Sequence, residues 1–565
     1  MGLVALRTGL PSARPPAPLA PARYASSAPA RPRLVLASAS APEASTASPT
    51  PDPATLPTPT GRRFNLPLVG ETGALISDHL QFVHSHVQTY GPVFKASIMG
   101  VKGAVVLTSW AAITKVMMGE GKGVEGAPPV SKWWMPPAFQ ELLGSASDPE
   151  VQTDRARHAK RRRQQGTAFT PAAMASYAPR VEAVARASLA RWAASPGPVD
   201  LVAELSTTTF GFAETVVDLG LSGDARAALT DNWATYVRNL MALPIDLPGT
   251  KLHAAKKAKR KILAAIGNAV DRYLADFGRA PPTTMLEHYM TARAADGDPL
   301  AAVELGDMVL ALLLAGHDTS HAGHTVLLAT LPRLSADLRS RLAAEQAAVV
   351  AKHGDALTQA ALGDMPLGEA VVKECLRLLG PADGLWREAA SDFVLDGVRV
   401  PAGSKLFCSI LYAKATDPAI VGPGGLAPDA PLPPPHMDIN ALTPDAFNPD
   451  RWLGAGEPTG GVGTFGMGPR FCLGAPLFYQ EAKVLLALAV REYDLELEAP
   501  MTWAPSWAAQ VTSKAHIGLA VAKKAAGEAI VAANAGKRAM GSAAGVPPPA
   551  GAVVEGVAAE EGAAV

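Results

Sequence analysis

The sequence predicts a helix-dominated α+β chain, on three observations. Ala/Leu/Arg-rich stretches with apolar residues at helical spacing fill most of the region between 172 and 345. Short β-type runs cluster near 93–108 and 393–407, too little strand for a sheet-based architecture. A glycine-rich stretch, 460–468, runs into a single cysteine, Cys472, and a helical pattern starts at once behind it.

Of the 565 residues, 51 Lys+Arg balance 51 Asp+Glu, so nothing in the bulk charge attracts nucleic acid or an anionic membrane. Three cysteines cannot build a disulfide framework, and reducing surroundings are the simpler expectation. Residues 1–60 carry Arg7, Arg14, Arg23, Arg31 and Arg33 with no acid before Glu43. Such an Arg- and Ser-rich, acid-poor leader reads as an organelle transit peptide rather than a packed segment. Residues 527–565 read as a low-complexity disordered tail, which leaves 61–526 as one large folded unit. The strongest apolar run, 308–315, is far short of the roughly 20 residues a membrane span needs.

Within 61–526 the elements follow in order. A Pro/Gly-punctuated approach at 63–75 precedes a first helix. Residues 93–100 and 104–108 read as two strands around a Val101-Lys102-Gly103 turn. Helical stretches follow at 172–193, 205–218, 225–241, 252–276 and 300–345. A second β region spans 393–407 with a turn at Pro401-Ala402-Gly403, and 417–440 is rich in Pro and Gly and reads as a long surface insertion.

Cys472 carries the chemistry. At a helix N-terminus, backbone N–H groups and the positive dipole end favour a thiolate. With no second Cys, His or Asp at zinc spacing it cannot complete a tetrahedral zinc site, but it can be the sole protein ligand of a haem iron. Glycines before it let the backbone approach a flat ligand closely, and Arg470 can reach a carboxylate.

Phe465, Gly468, Arg470, Cys472 and Gly474 match FxxGxRxCxG, and the chain from about 61 to 526 resembles the cytochrome P450 monooxygenases. The resemblance implies the P450 fold, with a long distal helix, small β regions and a cysteine loop that holds haem b. It assigns the haem ligand to Cys472 and haem contacts to Arg470, His158, Arg162, Arg387, Phe465, Gly466, Gly474 and Ala315. Ala315-Gly316-His317-Asp318-Thr319 resembles the family's AGxDT segment, which makes Asp318 and Thr319 the proton path. Glu374 and Arg377 match its ExxR pair, completed by Arg451 in FNPDRW, with a structural role. Substrate contacts are expected at Trp133, Trp134, Leu312, His317 and Trp386. For Trp133 and Trp134 a staple between loop and core is the other reading; for His317 it is a polar contact inside the helix bundle.

Residues 67–72, 90–95 and 243–250 resemble the branch of retinoic-acid, brassinosteroid and abscisic-acid hydroxylases and the cyanobacterial retinoid-hydroxylating enzymes. A monomer acting on an apolar isoprenoid-derived substrate with O₂ is implied, the substrate being a retinoid, apocarotenoid, carotenoid or sterol. Two departures stand out: Gly380-Pro381-Ala382-Asp383 replaces the branch's paired prolines, and the insertion before Phe447 is long. Electrons must come from a separate protein, ferredoxin in a plastid or NADPH-cytochrome P450 reductase at an endoplasmic reticulum surface. The basic run Arg155, Arg157 and 160–163 reads either as a docking face for an acidic donor or as a solvated charge run, and 64–68 is a candidate for peripheral membrane contact. Two rivals remain at this point: an electron-independent isomerase or dehydratase of lipid hydroperoxides on the same fold, and a non-catalytic haem- or ligand-binding protein.

Overall fold

Local capping chemistry sets most of the helix starts. In the computed structural model, which describes residues 58–61, 70–120, 130–135, 152–239, 246–382, 384–421, 442, 447–454, 463–499, 504–505, 511–512 and 517–524, the main helices are α1 (His79–Tyr90), α2 (Trp110–Met118), α3 (Arg155–Gly166), α4 (Pro171–Ala193), α5 (Leu201–Val217), α6 (Gly223–Arg238), α7 (Lys251–Asp276), α8 (Met285–Ala295), α9 (Ala302–Thr330), α10 (Ala336–His353), α11 (Pro366–Leu378), α12 (Ile410–Thr416) and α13 (Ala475–Glu492). Asp154, Thr170, Asp200, Thr250 and Ser335 each accept a backbone N–H of the helix they precede. Thr284 and Glu287 close a reciprocal capping box on α8. Residues 1–57, the 64–68 segment, Asp383, most of the insertion and the tail from 525 lie outside the described residues.

The stretch 300–345 is two helices. Pro332, without a backbone N–H, sits in a 3₁₀ turn at Leu331–Arg333, and Ser335 starts α10 anew. The 29-residue α9 is about 43 Å long at 1.5 Å per residue. It packs most extensively on α5 and also meets α7, α11 and α13. Among the described residues no helix is long and apolar enough to cross a membrane.

Five strands form the larger sheet in the order β1 (Val93–Ile98), β2 (Val101–Leu107), β8 (Lys405–Ser409), β5 (Gly384–Ala389), β3 (Ser131–Trp133). Only the β2–β8 contact is parallel. A smaller sheet joins β4 (Val199–Asp200), β10 (Gly518–Lys523) and β9 (Tyr493–Leu497), and β6 (Phe393–Leu395) pairs with β7 (Val398–Val400). The first hairpin turns at Met99-Gly100, where φ is +51° and +78°, and not at Val101-Lys102-Gly103. Gly103, at φ +65°, lies where the register slips, so the glycine read as a turn belongs to a bulge. The described part is a mainly helical α+β fold, as the sequence predicts.

Candidate active site

The cysteine loop is built from glycines that side chains would spoil. Gly463, Gly466 and Gly468 all have positive φ, and a Cβ on Gly468 would stand 2.8 Å from the Met117 carbonyl oxygen. The Cys472 N–H donates to the Phe465 oxygen at 2.8 Å, which fixes the cysteine at the mouth of α13. Cys375 and Cys408 are buried, with thiols pushed up to about 12 by desolvation; Cys472 alone is exposed. Its surface is open to solvent, yet the protein atoms packed around the loop desolvate the sulfur and push its thiol above the ordinary range, against the lowering by the Gly474 and Ala475 N–H groups and Arg162. The helix terminus favours the thiolate, as its position predicts, without by itself offsetting the desolvation.

Beside the loop lies a knot of positive charge. Arg470 donates to Glu120 Oε1 at 2.6 Å and to the side chain and backbone of Gln152, while Arg387 Nε lies 3.0 Å from Glu120 Oε2. Arg162, from α3, donates to the Phe471 carbonyl. The His158 imidazole is pushed down to about 4, by burial first and then by Arg470, Arg162, Arg161 and Arg387. It is therefore neutral near pH 7. Glu120 and Gln152 escape sequence reasoning because their partner is more than 300 residues away and no local spacing betrays it.

On α9 an accessible stripe interrupts a buried helix: Leu312 and Thr319 are partly exposed and Ala315 exposed, while Leu313, Leu314, His317 and Ser320 are buried. These positions fall three and four apart, on one helical face. Thr319 donates its hydroxyl to the Ala315 carbonyl at 2.6 Å, so its oxygen presents only lone pairs onward. Asp318 Oδ1 lies 2.9 Å from His317 Nδ1. His317 points into the bundle, Nε2 lying 3.0 Å from the Ser206 oxygen of α5, so its contacts are those of the bundle reading and not of a substrate.

The buried Glu374 accepts from Arg377 Nε and Nη2 at 2.9 Å each, from Arg451 Nε at 3.0 Å, from the Asn448 N–H at 2.9 Å and from Trp452 Nε1 at 2.7 Å. Every contact the sequence assigned to this triad is present, and Trp452 joins it. Lys414, on α12, ties the end of α11 to the cysteine loop through the Leu376 oxygen and Thr464. A Cβ on Gly380 would stand 2.7 Å from its Nζ and 3.1 Å from the Leu376 carbonyl oxygen, so a side chain there would crowd this link.

The tryptophans separate. Trp134 meets Trp386 edge-on at 5.5 Å, and Trp386 packs on Phe407 at 5.1 Å, an aromatic cluster at the sheet that matches the staple reading. Trp133 is directly opposite Arg387 across β3 and β5, and such pairs share a face, so it shares the face of the arginine knot.

The family model for cytochrome P450 matches residues 59–420 and 442–511. The chain belongs to the cytochrome P450 family. It is 27% identical over 474 residues to human cytochrome P450 26C1, covering 79% of this chain and 85% of that one. It is 28% identical over 446 residues to putative cytochrome P450 120 of Synechocystis, covering 78% and 91%. A solved structure described as retinoic acid bound cyanobacterial CYP120A1 superimposes with a TM-score of 0.67 at 25% identity, over 83% of this chain and all of that one. The protein is accordingly a P450 monooxygenase acting on an apolar substrate.

The family implies haem b, and the residues of this chain fit it. Cys472 is the one exposed thiol of three. The four arginines that act on His158 have Glu120 as a carboxylate between two of them, a cationic excess that two propionates would offset. Bound haem supplies oxygen activation and accepts electrons. Cys472 Sγ would hold its iron, and Arg470, Arg387 and Arg162 its carboxylates. Leu312 and Ala315 give the accessible face an apolar surface, the kind an apolar substrate would meet. Asp318 stands next to Thr319, whose hydroxyl donates to Ala315 and leaves its oxygen lone pairs to accept, so that these two side chains would hand on a proton.

Proposed function

We propose that this P450 hydroxylates an isoprenoid-derived molecule with an apolar body and a polar end, with retinoids and apocarotenoids first among carotenoids and sterols. The observation that carries this is the likeness over 83% of the chain to a structure bound to retinoic acid. The apolar stripe of α9 agrees with such a body. A panel of retinoids, apocarotenoids, carotenoids and sterols, screened for a shift of the haem absorption band and then for product mass, tests it. A gain of one oxygen, dependent on O₂ and reductant, from a retinoid or apocarotenoid supports the reading; turnover of fatty acids or lipid peroxides alone would sink it.

The electron donor in this reading is a separate acidic protein, ferredoxin with import into a plastid by the leader. On α3, Lys160 and Arg163 are already paired with Asp298 and Asp296. Arg157 likewise lies 3.5 Å from Asp154, so docking in this reading is carried by the basic run of α3 as a whole, Arg155, Arg157 and Lys160 to Arg163. Fusion of residues 1–60 to a fluorescent protein tests the address: plastid import supports it, and a reticular pattern favours the reductase as donor.

A further inference from the structure

We propose that His317 and Asp318 together store one mobile proton beside Thr319, with His317 as the positioning residue that keeps it loaded. The role rests on the family's oxygen-dependent activity and on no particular substrate.

Donors and acceptors around the ring decide the matter. Nδ1 lies 2.9 Å from Asp318 Oδ1 and Nε2 lies 3.0 Å from the Ser206 carbonyl oxygen. A neutral imidazole has a single N–H, and an ionised carboxylate and a carbonyl both only accept. The two contacts are simultaneously hydrogen bonds when one more proton is present. It sits either on the ring, as an imidazolium donating both ways, or on Asp318, whose O–H then donates to Nδ1. The alternative places the N–H on Nδ1 and lets Ser206 Oγ, 3.3 Å from Nε2, donate to the bare nitrogen. That sets a ring lone pair against a carbonyl lone pair at 3.0 Å in exchange for one long hydrogen bond.

The surroundings favour the loaded form. His317 is 4% exposed, with Phe210 of α5 and Trp233 of α6 edge-on at 6.1 and 5.8 Å, so an unmet polar contact there is costly. Two titratable groups facing the pair, His321 and Tyr236, are neutral near pH 7. His321, stacked on His317 at 6.2 Å, is pushed down to about 4, by burial first and then by His317, and its Nε2 bonds the Val202 oxygen. Tyr236 of α6 is pushed up by burial and then by Asp318. Asp200, at the start of α5, acts on His321 as a weaker raising influence.

Thr319 has spent its own hydroxyl proton on Ala315, so a proton passing it must come from a neighbour. Monooxygenation converts RH, O₂, two electrons and two protons into ROH and water. The electrons come from the donor protein. The pair gives up one proton, leaving a neutral ring and a carboxylate, and solvent reloads it before the next turnover.

Nitrogen-15 NMR of histidine-labelled, haem-loaded protein in its ferrous carbon monoxide form tests this directly, with H317Q and H317N to assign the signal. An imidazolium, or a ring protonated at Nε2 with Nδ1 accepting, is the expected result. A ring protonated only at Nδ1 overturns the proposal. In turnover with all-trans-retinoic acid, H317Q is expected to form about tenfold less product per O₂ consumed and to lose the alkaline fall in rate. Hydrogen peroxide, which brings its own protons, should support the variant within threefold of wild type. Unchanged coupling and an unchanged pH profile in H317Q would overturn it as well. If wild type does not turn over retinoic acid, the substrate reading fails while the NMR result still decides the proton store.

Discussion

Lys414→Met changes the dependence of stability on pH in a calculable way. Lys414 is 2% exposed, and its Nζ donates to the Leu376 oxygen at 3.0 Å and to Thr464 Oγ1 at 2.7 Å. Desolvation, then Arg377, push its pKa down from 10.5 to about 7. A base with a depressed folded pKa is held protonated by the unfolded chain while the folded chain has released the proton. Stability therefore rises with pH between about 7 and 10.5, and the full cost of the buried ammonium is present below that window. From pH 7 to pH 9 the gain is about 2 kcal/mol, and Met has no such gain. Other titrating groups are common to both proteins and cancel in the difference. Urea unfolding midpoints of haem-loaded wild type and K414M should thus diverge in favour of wild type as pH is raised from 7 to 9. A flat difference, or one that moves toward the variant, refutes the reasoning.

Glu374→Gln leaves Arg377 and Arg451 without their shared carboxylate and should cost about 3–5 kcal/mol, read as a fall in Tm together with haem loss. Cys472→Ala should abolish the red-shifted carbon monoxide band of a thiolate-ligated haem while far-ultraviolet circular dichroism stays unchanged; retention of that band would remove the thiolate from the account. Glu120→Gln sets Arg387 and Arg470 face to face and should destabilise the haem-free protein by about 3 kcal/mol. Calorimetry should show that deficit shrinking on haem loading, when other carboxylates arrive.

What was legible in the sequence depended on range. Cys472, its glycines and the Glu374–Arg377 pair carry their logic within a few residues, so spacing exposes them. Helical periodicity did the same for α4 to α7. The break at Pro332 was a local signal passed over because apolar spacing continues on both sides of it. The hairpin was misread because Gly100 and Gly103 both have positive φ, and only strand register separates a turn from a bulge. Glu120, Gln152, Trp452 and the partners of Lys414 act across 38 to 350 residues of chain, where one sequence carries no signal. His317 is the instructive middle case: its neighbour Asp318 is visible in sequence, but Ser206 is 111 residues away and alone reveals that both ring nitrogens are engaged.

The raised Cys472 pKa bears on what the protein fold contributes to its own chemistry. Gly474 and Ala475 N–H groups and Arg162 all favour the thiolate, yet desolvation is the larger influence and the thiol is the stable form of the bare site. A metal ion bound at sulfur deprotonates a coordinating thiol outright. Bound haem iron would therefore favour the thiolate that the bare site does not, and the loop N–H groups and Arg162 would help to hold it. The arginine knot runs the same way, since Arg387, Arg470 and Arg162 repel one another and Glu120 balances only part of their charge. The cysteine avoids an unfavourable charge by staying a neutral thiol, whereas the arginines remain mutually repulsive until a ligand supplies opposite charge. The Glu374 cluster is the reverse, because its donors and acceptors are matched within the chain. A fold can store unfavourable charge at one site when such a self-sufficient clasp holds the elements around it, and Lys414, which bridges α11 to the cysteine loop, joins the two.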